Sequence, residues 1–358
     1  MKKLLLSVFA IAALASCMQD ETISQNQQAI DFGTPFVDKA TKAIDYSYSE
    51  TNPLKDIYVY GTVKGTATDP VSIFEHEHVW STKTTATNEN QVDYGTAWQC
   101  DKTQYWIPGA AYKFVAVNGM GDTKTDAIVL EDGLPKTLTF SSVGKTDLVA
   151  GYVAKTAGDT NGVVSFTMAH LLSKVKFTVI NETNKADNSA TSEFYYNVTN
   201  IKLLNAATSG TCTLEYAAAE GASGVTGTWS SVGAEVNFGH ATNATATTDS
   251  TDAIAIGDRD TVTSHHELLV VPATYGVGNK LKVSFEIGLY TTKNGAEVTI
   301  NEPAEKTPAV EATLAAGNAY NFIIKVAVGQ KIQFTVAKNP SWTNAADQTV
   351  YQDTVIVD

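Results

Sequence analysis

Short apolar runs alternate with polar turns along most of the chain. Val, Ile, Tyr, Phe and Thr dominate the runs, and Gly, Asn, Asp and Pro separate them, which is typical of strands rather than helices. Lys174 and Lys176 alternate with Val175, Phe177 and Val179. This alternation predicts a strand with one solvent-exposed face and one face packed on a core. The predicted strands cover residues 57–63, 113–117, 148–153, 163–167, 174–180, 198–204, 267–272, 280–289, 319–327 and 332–336.

The same pattern leaves little room for helices. No long segment keeps the helical period, and only short turns such as residues 168–173 are helix candidates, so the chain is predicted to be all-β with few short helices. A Gly/Asp/Asn cluster at residues 158–162 predicts one domain over residues 18–160 and a second over residues 161–358. Residues 217–252 are rich in Ala, Gly, Ser and Thr and are expected to form surface loops or a small hairpin of the second domain.

The first 17 residues form a separate targeting element. Lys2 and Lys3 precede an apolar run over residues 4–14, which has the length of a secretory signal peptide and is too short to span a bilayer. The run ends in Leu14-Ala15-Ser16-Cys17, which resembles a bacterial lipobox, so Cys17 is predicted to become a lipidated N-terminus. An ordinary secretory signal with a chance cysteine is the alternative. The lipid would anchor the protein to the outer membrane without making it a spanning protein.

Composition and charge narrow the class of partner. The chain has 358 residues, of which 43% are hydrophobic and 18% are charged, and this places it outside the regime of disordered proteins. Its net charge of -13 repels phosphate backbones, so nucleic acid is not an expected partner. Arg259 is the single arginine, and nearly all positive charge is therefore lysine.

The residue patterns of common enzyme and metal sites are missing from the sequence. There is no G-x-S-x-G motif to hold a nucleophilic serine on a strained turn. His76 and His78 would share a strand face with Phe74 and Trp80, but two histidines are two ligands short of a closed zinc shell. Cys100 and Cys212 could form a disulfide in an oxidising compartment, but they have no framework or metal-binding spacing and are interpreted as buried free thiols. We expect no enzyme activity, no metal and no cofactor.

Eleven short sequence motifs follow Cys17. Each motif is a weak signal alone, but their order along the chain makes a family resemblance specific. They are Ile30-Asp31-Phe32, Lys39-Ala40-Thr41-Lys42, Ile57-Tyr58-Val59-Tyr60-Gly61, Trp106-Ile107-Pro108-Gly109, Tyr112-Lys113-Phe114-Val115-Ala116, Asp147-Leu148, Phe166-Thr167-Met168-Ala169-His170-Leu171-Leu172-Ser173-Lys174-Val175, Leu269-Val270-Val271-Pro272, Leu314-Ala315-Ala316-Gly317-Asn318-Ala319-Tyr320-Asn321-Phe322, Ile332-Gln333-Phe334 and Pro340-Ser341-Trp342. Together they resemble the fimbrillins, the pilins of Bacteroidales type V fimbriae that are made as lipoprotein precursors. The resemblance implies two tandem β-sandwich domains of the transthyretin-like kind and a structural subunit of surface fimbriae that supports adhesion.

The resemblance also implies how subunits join. In this family a trypsin-like protease removes the first strand of the precursor, and a C-terminal strand of the next subunit fills the groove, a β-strand addition that repeats head to tail. The candidate first strand offers Ile30, Phe32 and Phe36 to the core, and Lys39 and Lys42 behind it are the candidate processing sites. The best-known pattern cuts after arginine, which is missing here, so either the protease tolerates lysine or no cut occurs.

The end of the chain supplies a candidate donor strand. Residues 349–357 form a β-branched run that must pair with something, because a loose apolar strand invites aggregation. Its candidate donor side chains are Val350, Tyr351, Val355, Ile356 and Val357. The run is either a donor strand for another subunit or the last strand of its own second domain.

Two classes of function compete at this point. The first is a fimbrial subunit that assembles with like or unlike pilin subunits. The second is a lipid-anchored surface adhesin, or the anchor or tip subunit, which does not polymerise and binds a host or bacterial surface receptor. A glycan-handling surface lipoprotein is a third class, in which tryptophans would stack on sugars, although buried tryptophans are the simpler account. The tryptophans are Trp80, Trp98, Trp106, Trp229 and Trp342.

Overall fold

A computed structural model describes residues 28–33, 35–37, 54–65, 69–83, 94–121, 127–141, 146–156, 162–181, 194–217, 224–230, 235–239, 261–263, 268–293, 296–326, 331–339, 349–350 and 355–357. These residues form strands, turns and irregular segments and include no helix, so the all-β prediction is confirmed and the few short helices are not found among them. It follows that no described segment is a helix of the length and apolarity needed to cross a membrane.

The strands number 25 in this part of the chain. In chain order they are β1 (Phe36–Val37), β2 (Asp56–Lys64), β3 (Val71–Lys83), β4 (Tyr94–Cys100), β5 (Ala111–Asn118), β6 (Ile128–Glu131), β7 (Leu134–Ser141), β8 (Val149–Thr156), β9 (Thr167–His170), β10 (Ser173–Asn181), β11 (Phe194–Ala207), β12 (Ser209–Tyr216), β13 (Val225–Ser230), β14 (Glu235–Gly239), β15 (Thr261–Thr263), β16 (Leu268–Val270), β17 (Ala273–Tyr275), β18 (Leu281–Lys293), β19 (Ala296–Lys306), β20 (Ala309–Val310), β21 (Ala312–Leu314), β22 (Ala319–Val326), β23 (Ile332–Asn339), β24 (Thr349–Val350) and β25 (Val355–Val357).

The stretch between residues 163 and 173 departs from the sequence-based expectation. Val164 makes only an isolated bridge, and β9 begins three residues later. The helix candidate over residues 168–173 is wrong, because Met168 and His170 pair with β8 and Ser173 already pairs with Val270 of β16. The sheet ladders satisfy the backbone groups that a helical turn would otherwise have paired.

The largest sheet of the first half is covered on both faces. Its seven strands run in the order β1-β9-β8-β5-β2-β3-β4. In the interior strand β2, Ile57 and Val59 lie on one face while Tyr60 lies on the other, and all three are fully buried. A strand that is covered on both sides needs such a continuous apolar run, which explains why this segment was recognisable in the sequence.

Two different layers cover this sheet. A four-stranded sheet in the order β13-β12-β7-β6 packs on the Tyr60 face, where Leu138 and Cys212 complete a core. The opposite face is covered in part by residues 28–33, which contribute Ile30 and Phe32. Strand β12 comes after residue 160 in sequence, yet it pairs with β7. The division into residues 18–160 and 161–358 therefore stays a prediction.

The second half contains a sandwich of two further sheets. One runs in the order β15-β10-β22-β23-β24, with β16 added beside β10 and β25 beside β23, and the other runs β14-β11-β18-β19 with β20 beside β18. Strands β17 and β21 form a separate two-stranded ribbon. Phe177, Phe322 and Phe334 from the first sheet share one core with Val283 and Phe285 from the second, which confirms the predicted β-sandwich.

Strand β10 follows its predicted alternation on its apolar face. Val175, Phe177 and Val179 are buried in the sandwich core as expected. Lys174 and Thr178, however, are buried on the face that was predicted to be exposed. Lys174 lies where the chain crosses from β9 into the second sandwich, and its backbone nitrogen donates to the oxygen of Asn318 over 3.0 Å. Other segments of the same chain thus cover positions that alternation alone would leave exposed to solvent.

We expect the substitution Gly119→Ala to lower the free energy of unfolding by about 2 kcal/mol. Gly119 follows β5 with a φ of 102°, in the region that favours glycine, and a Cβ there would collide with the carbonyl oxygen of Asp147. Urea unfolding followed by circular dichroism measures the loss. Gly276→Ala is the matched control, because space around Gly276 is open and the expected change is below about 0.5 kcal/mol. Equal stability of both variants would contradict the constraint at Gly119.

Candidate functional site

Residues 28–33 and 35–37 form an inserted segment that lies in a groove of the first half. On one side of it the backbone nitrogen of Ile30 donates to the oxygen of Gln104 over 2.8 Å, and the nitrogen of Trp106 donates to the oxygen of Gln28 over 3.0 Å. We call residues 104–107 the first wall of the groove. This reciprocal pairing is that of neighbouring antiparallel strands, although the wall itself is irregular chain.

The other side of the groove is formed by residues 163–168, which we call the second wall. The backbone nitrogen of Gly33 donates to the oxygen of Val164 over 2.9 Å, and the nitrogen of Val164 donates to the oxygen of Asp31 over 2.7 Å. Further along, Phe36 and Val37 of β1 pair in parallel with β9. The inserted segment is therefore bonded through its backbone to both walls, as a strand in the middle of a sheet would be.

Gly33 allows the inserted segment to approach the second wall closely. A Cβ at this position would lie 2.6 Å from Oγ of Ser165 and 2.8 Å from Cγ1 of Val163. Both distances are shorter than van der Waals contact, so a larger residue would push the segment away from the wall.

The inserted segment fills the groove with two apolar side chains. Ile30 is 5% exposed and Phe32 is 4% exposed, while Asp31 between them faces solvent. The Phe32 ring contacts two aromatic rings at the floor of the groove and the Phe166 ring of the second wall. The centroid distances are 5.4 Å to Phe74, 6.2 Å to Phe114 and 6.3 Å to Phe166. Fully burying a side chain of this size contributes about 1.5–3 kcal/mol, so the groove holds the segment mainly through these two residues.

The candidate donor strand lies in another sheet, at the edge of the second sandwich. Val350 of β24 pairs with Ala337 of β23. Val355, Ile356 and Val357 of β25 pair antiparallel with residues 334, 333 and 332 of the same strand. These residues therefore pair within their own chain, and their role as donors stays a prediction.

The remaining positions that the sequence predicts are only partly described by the structure. The backbone of Phe36 forms part of β1 beside the second wall. Cys17, Lys39, Lys42 and Tyr351 lie outside the described residues. The structure thus brings Ile30, Phe32 and Phe36 together along one groove, and it leaves the lipidation and processing sites as predictions.

The histidine pair of β3 does not sit as the alternation predicted. His76 has a φ of 58°, and the β2–β3 register shifts beside it, so Phe74 points into the groove-side core while both histidines face the other side. His76 stacks on Tyr58 with ring centroids 4.4 Å apart, and His78 stacks on the same ring at 5.1 Å. Nowhere in the described residues do three His, Cys, Asp or Glu side chains approach closely enough to hold a metal ion.

The cysteines of the described region are free thiols. Cys212 is buried, whereas Cys100 is only partly buried. The prediction of buried thiols is therefore right for Cys212 and wrong for Cys100. Burial raises the pKa of Cys100 to about 11 and that of Cys212 to about 12. Thiols with such pKa values stay protonated at neutral pH and are poor nucleophiles.

The tryptophans of the described residues are mostly packing residues, and Trp342 lies outside the described part of the chain. Trp98 and Trp106 are buried in the groove-side core. Trp229 donates from Nε1 to the oxygen of Leu171 over 2.7 Å, and Trp80 stacks on His78. These contacts favour the structural account of the tryptophans over sugar stacking.

Sequence pattern does not predict the role of either groove wall. Residues 104–107 carry no alternation, and the predicted strand over residues 163–167 does not form, because Val164 makes only an isolated bridge. The structure itself marks the walls by apolar residues that remain partly exposed beside the inserted segment. Tyr105, Ile107 and Val163 are 43%, 39% and 48% exposed, which is unusual for large apolar side chains and marks the rim of the groove.

Comparison of this chain with known protein families and structures identifies one family. A sequence model described as fimbrillin-like matches residues 41–340, whereas no curated protein matches the chain. Among solved structures, the chain is similar to a protein assigned to cell adhesion from Bacteroides uniformis, with 18% identity, a TM-score of 0.45 and coverage of 90% of this chain and 100% of that chain. A fimbrial assembly protein from Parabacteroides distasonis matches with 12% identity, a TM-score of 0.45 and coverage of 92% and 98%. A fimbrial protein from Bacteroides vulgatus matches with 13% identity, a TM-score of 0.43 and coverage of 87% and 100%.

Proposed function

Because this chain belongs to the fimbrillin-like family and is a structural subunit of fimbriae at the cell surface, we propose that it polymerises by exchanging β-strands. In this proposal the inserted segment is cut away, and the C-terminal strand of another copy fills the groove. Main-chain hydrogen bonds to the two walls supply affinity, and alternate side chains fill the pockets. The contact is head to tail and does not close on itself, so its repetition builds a filament.

The observation that carries the proposal is the way the inserted segment is held. Its backbone bonds to both walls, and Ile30 and Phe32 fill the space between them. The strand order of the seven-stranded sheet needs only its short β1 from this segment. The segment therefore has the character of a removable strand whose place another strand of similar pattern could take.

Loss of the inserted segment would expose apolar side chains and unpaired backbone groups of the groove to solvent. The rings of Phe74, Phe114 and Phe166 would face water, together with the unpaired backbone groups of the two walls. Exposed apolar surface beside unpaired strand edges is a template for another chain. An incoming strand with apolar residues at alternate positions would restore about 1.5–3 kcal/mol for each side chain that it buries fully.

The proposal places the activating cut after Lys39 or Lys42. Both residues follow the inserted segment, so either cut separates residues 28–37 from the rest of the chain. A protease that accepts lysine is required, because the single arginine of the chain is Arg259.

The proposal assigns the donor role to β24 and β25. They pair with β23 at two and three positions, respectively, so few backbone bonds must break to free them. The sequence of β25 is the apolar run Val355, Ile356 and Val357, whose backbone already forms a strand and could pair in the same way with the walls of a groove.

Trypsin treatment of the purified precursor tests this mechanism. We expect a cut after Lys39 or Lys42, identified by sequencing the new N-terminus, followed by a ladder of multimers on a non-boiled gel. The double variant Lys39→Gln/Lys42→Gln should stay monomeric, and deletion of residues 349–358 should abolish the ladder while the cut still occurs. Each ladder step reflects one groove filled by one C-terminal strand.

The same experiment separates the second candidate function, a surface adhesin or an anchor or tip subunit that does not polymerise. The observation in its favour is that β25 pairs with β23 of its own chain. A clean cut without a ladder, with residues 349–358 needed only for the stability of the second sandwich, would establish this alternative and end the strand-exchange proposal.

The proposal also covers how the subunit is anchored, which partners it binds and whether it is catalytic. Lipidation of Cys17 would anchor the precursor to the outer membrane, and the partners would be other pilin subunits and a receptor on a host or bacterial surface. The role is structural rather than catalytic, which fits the protonated thiols of Cys100 and Cys212. Mass spectrometry of the precursor would show whether Cys17 carries acyl chains.

A further inference from the structure

Two facing residues at the floor of the groove contact both of its walls. Tyr112 of β5 and Lys155 of β8 are directly opposite each other in the antiparallel ladder, as are Phe114 and Val153 two positions along. Opposite residues in such a ladder project from the same face of the sheet. Tyr112, Phe114 and Val153 all belong to the core beneath the inserted segment. We call Tyr112 and Lys155 the floor pair.

Tyr112 fixes the first wall. Its hydroxyl oxygen accepts a hydrogen bond from the backbone nitrogen of Ile107 over 2.6 Å, and the hydroxyl donates to the oxygen of Tyr105 over 3.5 Å. Its ring meets Trp106 edge to face, with centroids 4.7 Å apart. Burial raises the pKa of Tyr112, so the hydroxyl keeps its proton and remains able to donate.

Lys155 contacts the second wall and the first. Its Nζ donates to the backbone oxygen of Val163 over 2.9 Å, and it lies 5.9 Å from the centroid of the Trp106 ring. A charged donor strengthens the bond to the carbonyl, and the ammonium group is attracted to the face of the indole. Burial lowers the pKa of Lys155, as expected for an ammonium group that the two walls partly shield from water.

The contacts of the floor pair do not depend on the inserted segment. The partners are Tyr105, Trp106, Ile107 and Val163, all of which belong to the walls. The backbone bonds between segment and walls, by contrast, disappear when the segment is removed. The floor pair is thus a set of wall contacts that survives the proposed cut.

We propose that Tyr112 and Lys155 are positioning residues that hold the two walls one strand apart after the inserted segment has left, so that the groove stays open for the incoming strand. The inference rests on the proposed function and specifies how its acceptor site is kept ready. An apolar groove without such support would close on itself, because close packing of its own side chains would bury the exposed rings. A preorganised groove avoids this closure and the cost of reopening, which speeds association.

Strand uptake by the cut protein tests the floor pair. A fluorescent peptide with the sequence of residues 349–358 is added in large excess to freshly trypsin-cut full-length protein, and fluorescence anisotropy records the association rate. We expect Lys155→Met to slow uptake about tenfold, which corresponds to about 1.4 kcal/mol in the activation free energy. Lys155→Arg should stay within about threefold of wild type, because its guanidinium group also donates to carbonyls and stacks on indole rings.

Matched variants separate positioning from general stability. Lys113→Met is the control for loss of a lysine, because Lys113 is exposed on the neighbouring strand and has no place in the groove; it should leave uptake unchanged. Tyr112→Phe keeps the ring and removes the hydroxyl bonds, and it should also slow uptake. The uncut Lys155→Met precursor should be cut by trypsin at the wild-type rate and melt within a few degrees of wild type, since the inserted segment still separates the walls.

The outcomes distinguish this inference from the proposed function. If the cut wild-type protein takes up no peptide, the strand-exchange proposal fails and the floor pair loses its role with it. If wild type and Lys155→Met take up peptide at equal rates, strand exchange stands and the floor pair is overturned. Equal slowing by Lys155→Arg and Lys155→Met would also overturn it, because the retained donor would then have no effect.

Discussion

Replacement of Phe32 by alanine should lower the free energy of unfolding by about 3–5 kcal/mol, the usual cost of removing a buried phenylalanine ring. The ring contacts Phe74, Phe114 and Phe166, and removal leaves a cavity that their rigid side chains cannot close. Urea unfolding followed by tryptophan fluorescence measures the change. Trp106 lies in the same core, so its emission reports on the groove.

Asp31→Ala is the matched control for this prediction. Asp31 is the neighbour of Phe32 in the inserted segment, but its side chain faces solvent and should contribute less than about 0.5 kcal/mol. The backbone oxygen that accepts from Val164 is kept in that variant. If the two variants lose the same stability, the groove does not depend on the Phe32 ring, and the account of how the segment is held is wrong.

The Phe32→Ala precursor should also differ in function. A weakened segment leaves the groove more often, so the uncut variant should take up the peptide of residues 349–358 while the uncut wild type does not. Exchange without a cut would show that the segment blocks the groove by occupying it rather than through a distant effect.

The resemblance, rather than a local pattern, points to the segment that the structure places in the groove. In that segment Ile30 and Phe32 flank the exposed Asp31. The walls could not be predicted in the same way. Gln104 and Val164 lie far from Ile30 in sequence and belong to irregular chain, so their role depends on tertiary pairing alone.

Two other differences have similar physical reasons. The bulge at His76 moves Phe74 to the groove side, and a non-glycine residue with positive φ gives no warning in a sequence that otherwise alternates. Strand β12 pairs with β7 across a long stretch of chain, and composition cannot reveal which sheet a strand joins. The local sequence therefore predicts that a segment forms a strand, but it does not predict which other strand that segment pairs with.

Removal of the Asp147 carboxylate is the second change with a large expected effect. Oδ2 of Asp147 lies 2.9 Å from Nδ1 of His170, and the two side chains are 0% and 4% exposed. The pair sits where β9 ends and the chain crosses towards β10. Immediately after it, the nitrogen of Leu171 donates to the oxygen of Leu148 over 2.9 Å, and the nitrogen of Gly317 donates to the oxygen of Leu172 over 2.8 Å. The pair thus supports the backbone that links the two halves.

We expect Asp147→Ala to lower the free energy of unfolding by about 3–5 kcal/mol, because it removes one member of a buried, hydrogen-bonded pair. Asp147→Asn keeps a carbonyl acceptor for the histidine and should lose about 1–2 kcal/mol. A double-mutant cycle with His170→Ala separates the pair from its surroundings, and the expected coupling between Asp147 and His170 is above about 1 kcal/mol. Trp229 bonds to the oxygen of Leu171 and so provides a fluorescence signal at the crossing. Additive losses in the cycle would mean that the two side chains stabilise the crossing independently, and the short Asp147–His170 contact would then have no energetic role of its own.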